Sequence, residues 1–134
     1  MAEISKSAPV SYVSITPPQS ETIVGLSAGE AITAGDACRV NAADGLVYKA
    51  SGAAANANAR VAGFALQAAS SGEAVTLVTE GNFKYGAALT PGALCFLSGT
   101  VAGGIADAAS TGGVKAIAYA LDATRVRILP GGLM

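Results

Sequence analysis

With no histidine in its 134 residues, the chain offers chiefly two thiols and nine carboxylates as nucleophiles, bases or metal ligands near neutral pH. The common general base, the usual catalytic triads and the usual zinc sites are therefore missing. Cys38 and Cys95 stand 57 residues apart, which is no metal-ligand spacing. Each sits in an apolar stretch with Arg39 the only charge beside either of them, so both are expected to be small buried hydrophobes, unbridged and unreactive. The carboxylates gather at turns: Glu30, Asp36 and Glu73 follow glycines, while Asp44 and Glu80 precede them. Acids so placed accept hydrogen bonds from local backbone N–H groups, which argues against paired acid/base work. No phosphate-binding glycine loop occurs. Neither a catalytic residue nor a cofactor or metal site is expected.

The elements that position these residues are organised around one stretch that occurs twice. Residues 31–40 read A-I-T-A-G-D-A-C-R-V and residues 88–97 read A-L-T-P-G-A-L-C-F-L. Ile32 matches Leu89, Thr33 matches Thr90, Gly35 matches Gly92, Cys38 matches Cys95 and Val40 matches Leu97. Each copy is a tight turn feeding a short strand, and Pro91 before Gly92 fits a type II turn. Residues 114–120 match 61–67 at an offset of 53, and residues 124–129 match 73–78 at an offset of 51. The repeat then covers about 28–81 and 86–132, and the two cysteines mark equivalent core positions.

Between these turns the chain reads as strands. Asp44-Gly45 predicts a hairpin returning through residues 46–50. Residues 51–59 read as a loop, residues 60–66 as a strand buried on both faces, and residues 73–81 as a β-branched strand ended by glycine. Phe83 and Tyr85 point to one side, and packing is expected for Tyr85. In the stretch 124–129, Val126 and Ile128 face the core while Arg125 and Arg127 face out, the alternation expected near a sheet edge. Residues 102–113 form a Gly-, Ala- and Ser-rich loop.

Residues 1–22 differ from the remainder. Residues 10–16 alternate as a short strand but lie between a polar leader and Pro17-Pro18, which suits an edge strand or an extended arm. The fold expected is all-β, a compact β-barrel or β-sandwich, jelly-roll-like or tulip-like. It is built from two sequence-related units in a single domain over 23–134, with an N-terminal arm over 1–22.

Composition narrows the functional classes. Half of the residues are hydrophobic, 13% are charged and 30 are alanine. Sparse charge over a small-residue core leaves an apolar exterior of the kind a partner covers. Eight basic and nine acidic residues are scattered singly, with no basic stripe for nucleic acid. No apolar run is long enough to span a membrane as a helix, and the first residues lack the pattern of a signal peptide, so a soluble, cytoplasmically made protein is expected.

Four phrases stand in order between residues 28 and 81: the A-G-D turn at 34–36, G-L-V-Y-K-A at 45–50, V-A-G-F-A at 61–65, and G-E-A-V-T-L at 72–77 leading to Gly81. In this order they resemble the capsid decoration, or cement, proteins of tailed bacteriophages, over about three quarters of the chain. That resemblance implies a non-enzymatic virion protein on the outer capsid surface, assembled in the host cytoplasm, that bridges major capsid protein subunits and stabilises the head. It also implies a homo-oligomer, a trimer or in some cases a dimer, and an N-terminal arm reaching to adjacent capsid subunits. Ile4, Val10, Tyr12, Val13 and Ile15 are the apolar residues that suit such a docking arm. The alternative is a glycan- or host-surface-binding β-domain, a head fibre or attachment module, which needs exposed aromatic platforms; Tyr12 and Tyr85 are the candidates.

Overall fold

A computed structural model describes residues 3–4, 11–12 and 21–133. The described residues are all-β, with two antiparallel sheets and two single turns of 3-10 helix at Ala57–Ala59 and Pro130–Gly132. The strands are β1 (Ser11–Tyr12), β2 (Glu21–Ser27), β3 (Ala37–Val40), β4 (Val47–Lys49), β5 (Gly63–Ala65) and β6 (Ala74–Glu80). They continue with β7 (Asn82–Lys84), β8 (Leu94–Leu97), β9 (Ile105–Ala106), β10 (Ala116–Ala120) and β11 (Arg125–Ile128). One sheet has five strands in the order β2-β6-β5-β3-β4. The other has six, β1-β7-β11-β10-β8-β9. Neither closes on itself through these strands.

Without β1, the second sheet runs in the same relative chain order as the first, with its opening strand at an edge beside its closing strand. The pairings follow suit: Ala37 lies opposite Phe64 as Leu94 lies opposite Tyr119, and Phe64 opposite Val78 as Tyr119 opposite Arg127. These registers put Gly63 with Ala118 and Leu77 with Val126, each two residues away from the sequence match. A slip of two keeps every side chain on the same face, so hydrophobicity alone could not detect it.

The two turns are built alike. Asp36 N–H donates to the Thr33 carbonyl at 3.2 Å, and Ala93 N–H donates to the Thr90 carbonyl at 3.0 Å. Gly35 and Gly92 hold φ of 85° and 82°, the left-handed corner that a type II turn places on its third residue. The Asp44-Gly45 hairpin is also present, joining β3 to β4 with Val40 opposite Val47. Residues 51–59 are a loop containing one 3-10 turn, which Asn56 caps by accepting from Asn58 N–H.

Two readings are corrected. The alternating β11 is an interior strand between β7 and β10, not one near an edge. Its arginines are half-exposed because they lie on the side of the sheet away from the core. The loop after Val101 contains strand β9, whose Ile105 and Ala106 are fully buried.

The main core lies between the sheets. Phe64, Val78 and Ala37 from the first sheet meet Phe83, Cys95, Leu97, Ile105, Ile117, Val126 and Ile128 from the second. A smaller cluster, comprising Cys38, Val47, Ala65, Val75 and Leu77, occupies the opposite face of the first sheet. Segments 28–32 and 66–72 cover it, with Ile32 and Ala69 exchanging both backbone hydrogen bonds. The first sheet is thus apolar on both faces, as the continuous run through β5 anticipates.

Candidate functional site

Four of the five carboxylates beside turn glycines accept from backbone N–H groups, while Glu80 faces the Arg127 guanidinium at 3.9 Å. Asp36 accepts from Thr33 N–H at 2.9 Å, Asp44 from Leu46 N–H at 2.9 Å and Glu73 from Ser70 N–H at 2.6 Å. Glu30 reaches across to Lys49 N–H at 2.8 Å, tying the first turn to β4. The Leu46 N–H and the Tyr48 hydroxyl hold the Asp44 carboxyl below its ordinary range. Asp122, which sequence reasoning did not single out, accepts from Thr124 and Arg125 N–H and pairs with the Arg125 guanidinium at 2.8 Å. Those N–H groups and the guanidinium hold it well below the carboxylate range. Among the described residues no group of three or more His, Cys, Asp or Glu could hold a metal ion.

Both cysteines are buried and neither is in a disulfide. Cys38 and Cys95 take the same pose, each Sγ directed at the carbonyl two residues earlier, at 3.3 Å on Asp36 and 3.9 Å on Ala93. Burial pushes the Cys95 thiol up to about 11, and burial also raises the Tyr85 hydroxyl above its usual range. Both groups are held protonated in the folded chain while the unfolded chain releases their protons at lower pH. The contribution of these two groups to stability is therefore expected to be constant up to about pH 9 and to fall as pH rises toward 11, since the unfolded state then binds fewer protons. In the folded protein neither thiol should react with a thiol reagent at pH 8, and both should react in denaturant. Rapid titration of one thiol in buffer would contradict this burial.

The expected docking residues fall in different places. Ile4 is half-buried and packs against the main core. Tyr12 lies in β1, its backbone opposite Phe83 at the free side of β7. Val10, Val13 and Ile15 lie outside the described residues. Tyr85, the second candidate platform, is 1% exposed and packs edge-on against Phe83, with ring centroids 6.0 Å apart. Tyr48, Phe64, Phe83, Tyr85, Phe96 and Tyr119 are each buried or half-buried. Tyr48 is half-buried with the Arg39 guanidinium 5.1 Å from its ring centroid.

Two surfaces escaped the sequence reading. On the first sheet, Ile23 and Val40 are 37% and 40% exposed beside Ala62 and Thr79. With Glu80, Pro130 and Leu133 they line an open groove of about 450 Å³. The second surface is the seat of Glu3, whose carboxylate receives hydrogen bonds from the Ser98 and Thr100 hydroxyls. Its partners are 95 and more residues away, so no local pattern marks it. Among the described residues no helix is long and apolar enough to cross a membrane. Comparisons of the chain with protein families, with curated proteins and with solved structures found no match.

Proposed function

We propose that this chain is a capsid decoration protein: a structural virion component that binds the outer surface of a phage head and cements neighbouring major capsid protein subunits. The observation that carries the proposal is the open groove whose apolar lining is Ile23, Val40, Ala62 and Leu133, at the end of the first sheet that segments 28–32 and 66–72 leave uncovered. An uncovered strip of this kind beside buried sheet surface is what a permanent partner occupies. The four phrases that resemble decoration proteins support the same reading, and each has a structural part here. They form the Gly35 turn, the β3–β4 hairpin, β5 and the Glu73-to-Gly81 strand.

In this reading the protein is a homo-oligomer, a trimer before a dimer, and its N-terminal arm, including Ile4, Val10, Tyr12, Val13 and Ile15, reaches a neighbouring subunit. The two sheets are copies of one duplicated unit, which explains their shared order of strands and the paired turns. Duplication enlarges a binding surface without a new fold. Nothing observed favours the glycan-binding alternative. The test is whether the chain purifies with intact heads in a fixed ratio to the major capsid protein.

A further inference from the structure

The pairings that give the two sheets one order of strands also define how they stack. In the first sheet Cys38, Ala65 and Leu77 share one face, its front, while Ala37, Phe64 and Val78 share the back. By register the counterparts of the front residues are Cys95, Ala120 and Val126, and those of the back residues are Leu94, Tyr119 and Arg127. The first sheet turns its back to the main core and the second turns its front. The sheets are therefore stacked front to back, and within the chain one back is already fitted to one front.

Among the described residues no third sheet lies on the front of the first. Segments 28–32 and 66–72 cover one end of it, and Ile23, Val40, Ala62 and Thr79 line the open groove at the other. Their counterparts by the same register are Phe83, Leu97, Ile117 and Ile128, which are 1–3% exposed in the core against the back of the first sheet. There Phe64 supplies a ring, its centroid 5.4 Å from that of Phe83. Each groove residue is smaller than its counterpart: Ile for Phe, Val for Leu, Ala for Ile and Thr for Ile. The same position is thus left open and made deeper, a hollow of about 450 Å³. A large flat side chain fills such a hollow at low conformational cost, burying about 150–250 Å².

The back of the second sheet does not suit this groove. Arg127 stands where the first back has Val78, and its guanidinium donates to the Asn82 side-chain carbonyl at 2.9 Å. Stacking that face of a second copy on the groove would take a charge out of water. We infer that the groove takes an aromatic side chain, carried on an extended strand of the capsid partner and seated against Ile23 as Phe64 is seated against Phe83. This rests on the proposed duplication and cementing role, and it names the chemistry of the contact.

The test has two arms, both on the full chain. In the first, N-acetyltryptophanamide and N-acetylleucinamide are titrated into free protein while the methyl resonances of Ile23, Val40 and Ala62 are followed. The tryptophan probe is expected to shift all three and to bind about 10-fold tighter than the leucine probe. Val40→Glu, which sets a charge in the groove at an exposed position, should abolish the shifts at Ile23 and Ala62 in a protein that keeps its circular dichroism. Equal binding of the two probes, or shifts that survive this substitution, would overturn the aromatic assignment. In the second arm Val40→Cys carries a benzophenone on the introduced thiol, Cys38 and Cys95 being buried. Heads loaded with this protein are irradiated and the linked peptides weighed. A peptide of the major capsid protein with an aromatic residue at the link is the expected product. A peptide without one, a peptide of a second copy, or no link on loaded heads would overturn the capsid contact at this groove. Heads that never load would remove the cementing role, while the first arm still decides what the groove binds.

Discussion

Phe64→Ala is expected to cost about 3–5 kcal/mol of folding stability. Phe64 is 1% exposed and stands where the sheets meet, its ring tilted against Phe83 with centroids 5.4 Å apart. Nearby Ala37, Ala118 and Ala120 are already minimal, so little side-chain volume can swing in to fill the void. A domain of this size has about 5–15 kcal/mol in all, so the variant loses a large part of its margin. Urea unfolding should show a lower midpoint with an unchanged slope. Val24→Ala, on a side chain 71% exposed, should shift it by less than about 0.5 kcal/mol. Equal effects at the two positions would mean that the sheets do not share one core.

Deleting residues 1–16 should separate folding from docking. Both sets of five strands begin at or after Glu21, so the truncated chain retains the main core apart from the Ile4 contact. It also loses the pairing of Ser11–Tyr12 with β7 and the Glu3 hydrogen bonds. The body should stay folded, at a cost of about 1–3 kcal/mol. Its affinity for heads should fall by at least about 100-fold, equivalent to roughly 2.7 kcal/mol of binding. The measurement is co-sedimentation with heads alongside the unfolding midpoint. Full binding by the truncated protein would assign docking to the sheet face around Ile23 and Val40 alone.

Short-range chemistry made much of this fold legible. Gly35, Gly92 and the Asp44-Gly45 pair each fix a turn through their own backbone preferences, and the strands on either side follow. The local duties of Asp36, Asp44 and Glu73 were readable for the same reason: each bonds an N–H two or three residues away. Strand β9 was hidden because two residues inside a glycine-rich loop carry no periodicity, and burial of Ile105 depends on β8 beside it. The position of β11 was misread because alternation reports which face meets the core, not how many neighbours a strand has.

The candidate site was the least legible part. Both faces of the first sheet are apolar, and which end stays open is set by the distant segments 28–32 and 66–72, whose Ile32 and Ala69 close one end and leave Ile23 and Val40 uncovered. The Glu3 seat needs the Ser98–Gly99–Thr100 turn to be folded so that the Ser98 and Thr100 hydroxyls meet the same carboxylate oxygen. Sequence shows a serine and a threonine in a turn, and nothing in that pattern points to the carboxylate at the other end of the chain.

The proposed cementing role is tested most directly by looking for this chain among the weighed shell proteins of intact heads assembled from the genome that encodes it. The reading predicts this 13.0 kDa chain in a fixed ratio to the major capsid protein, accessible to antibody on the outer surface, with heads lacking it bursting more readily. Heads that contain none of it, or traces in no fixed ratio, would contradict the assignment.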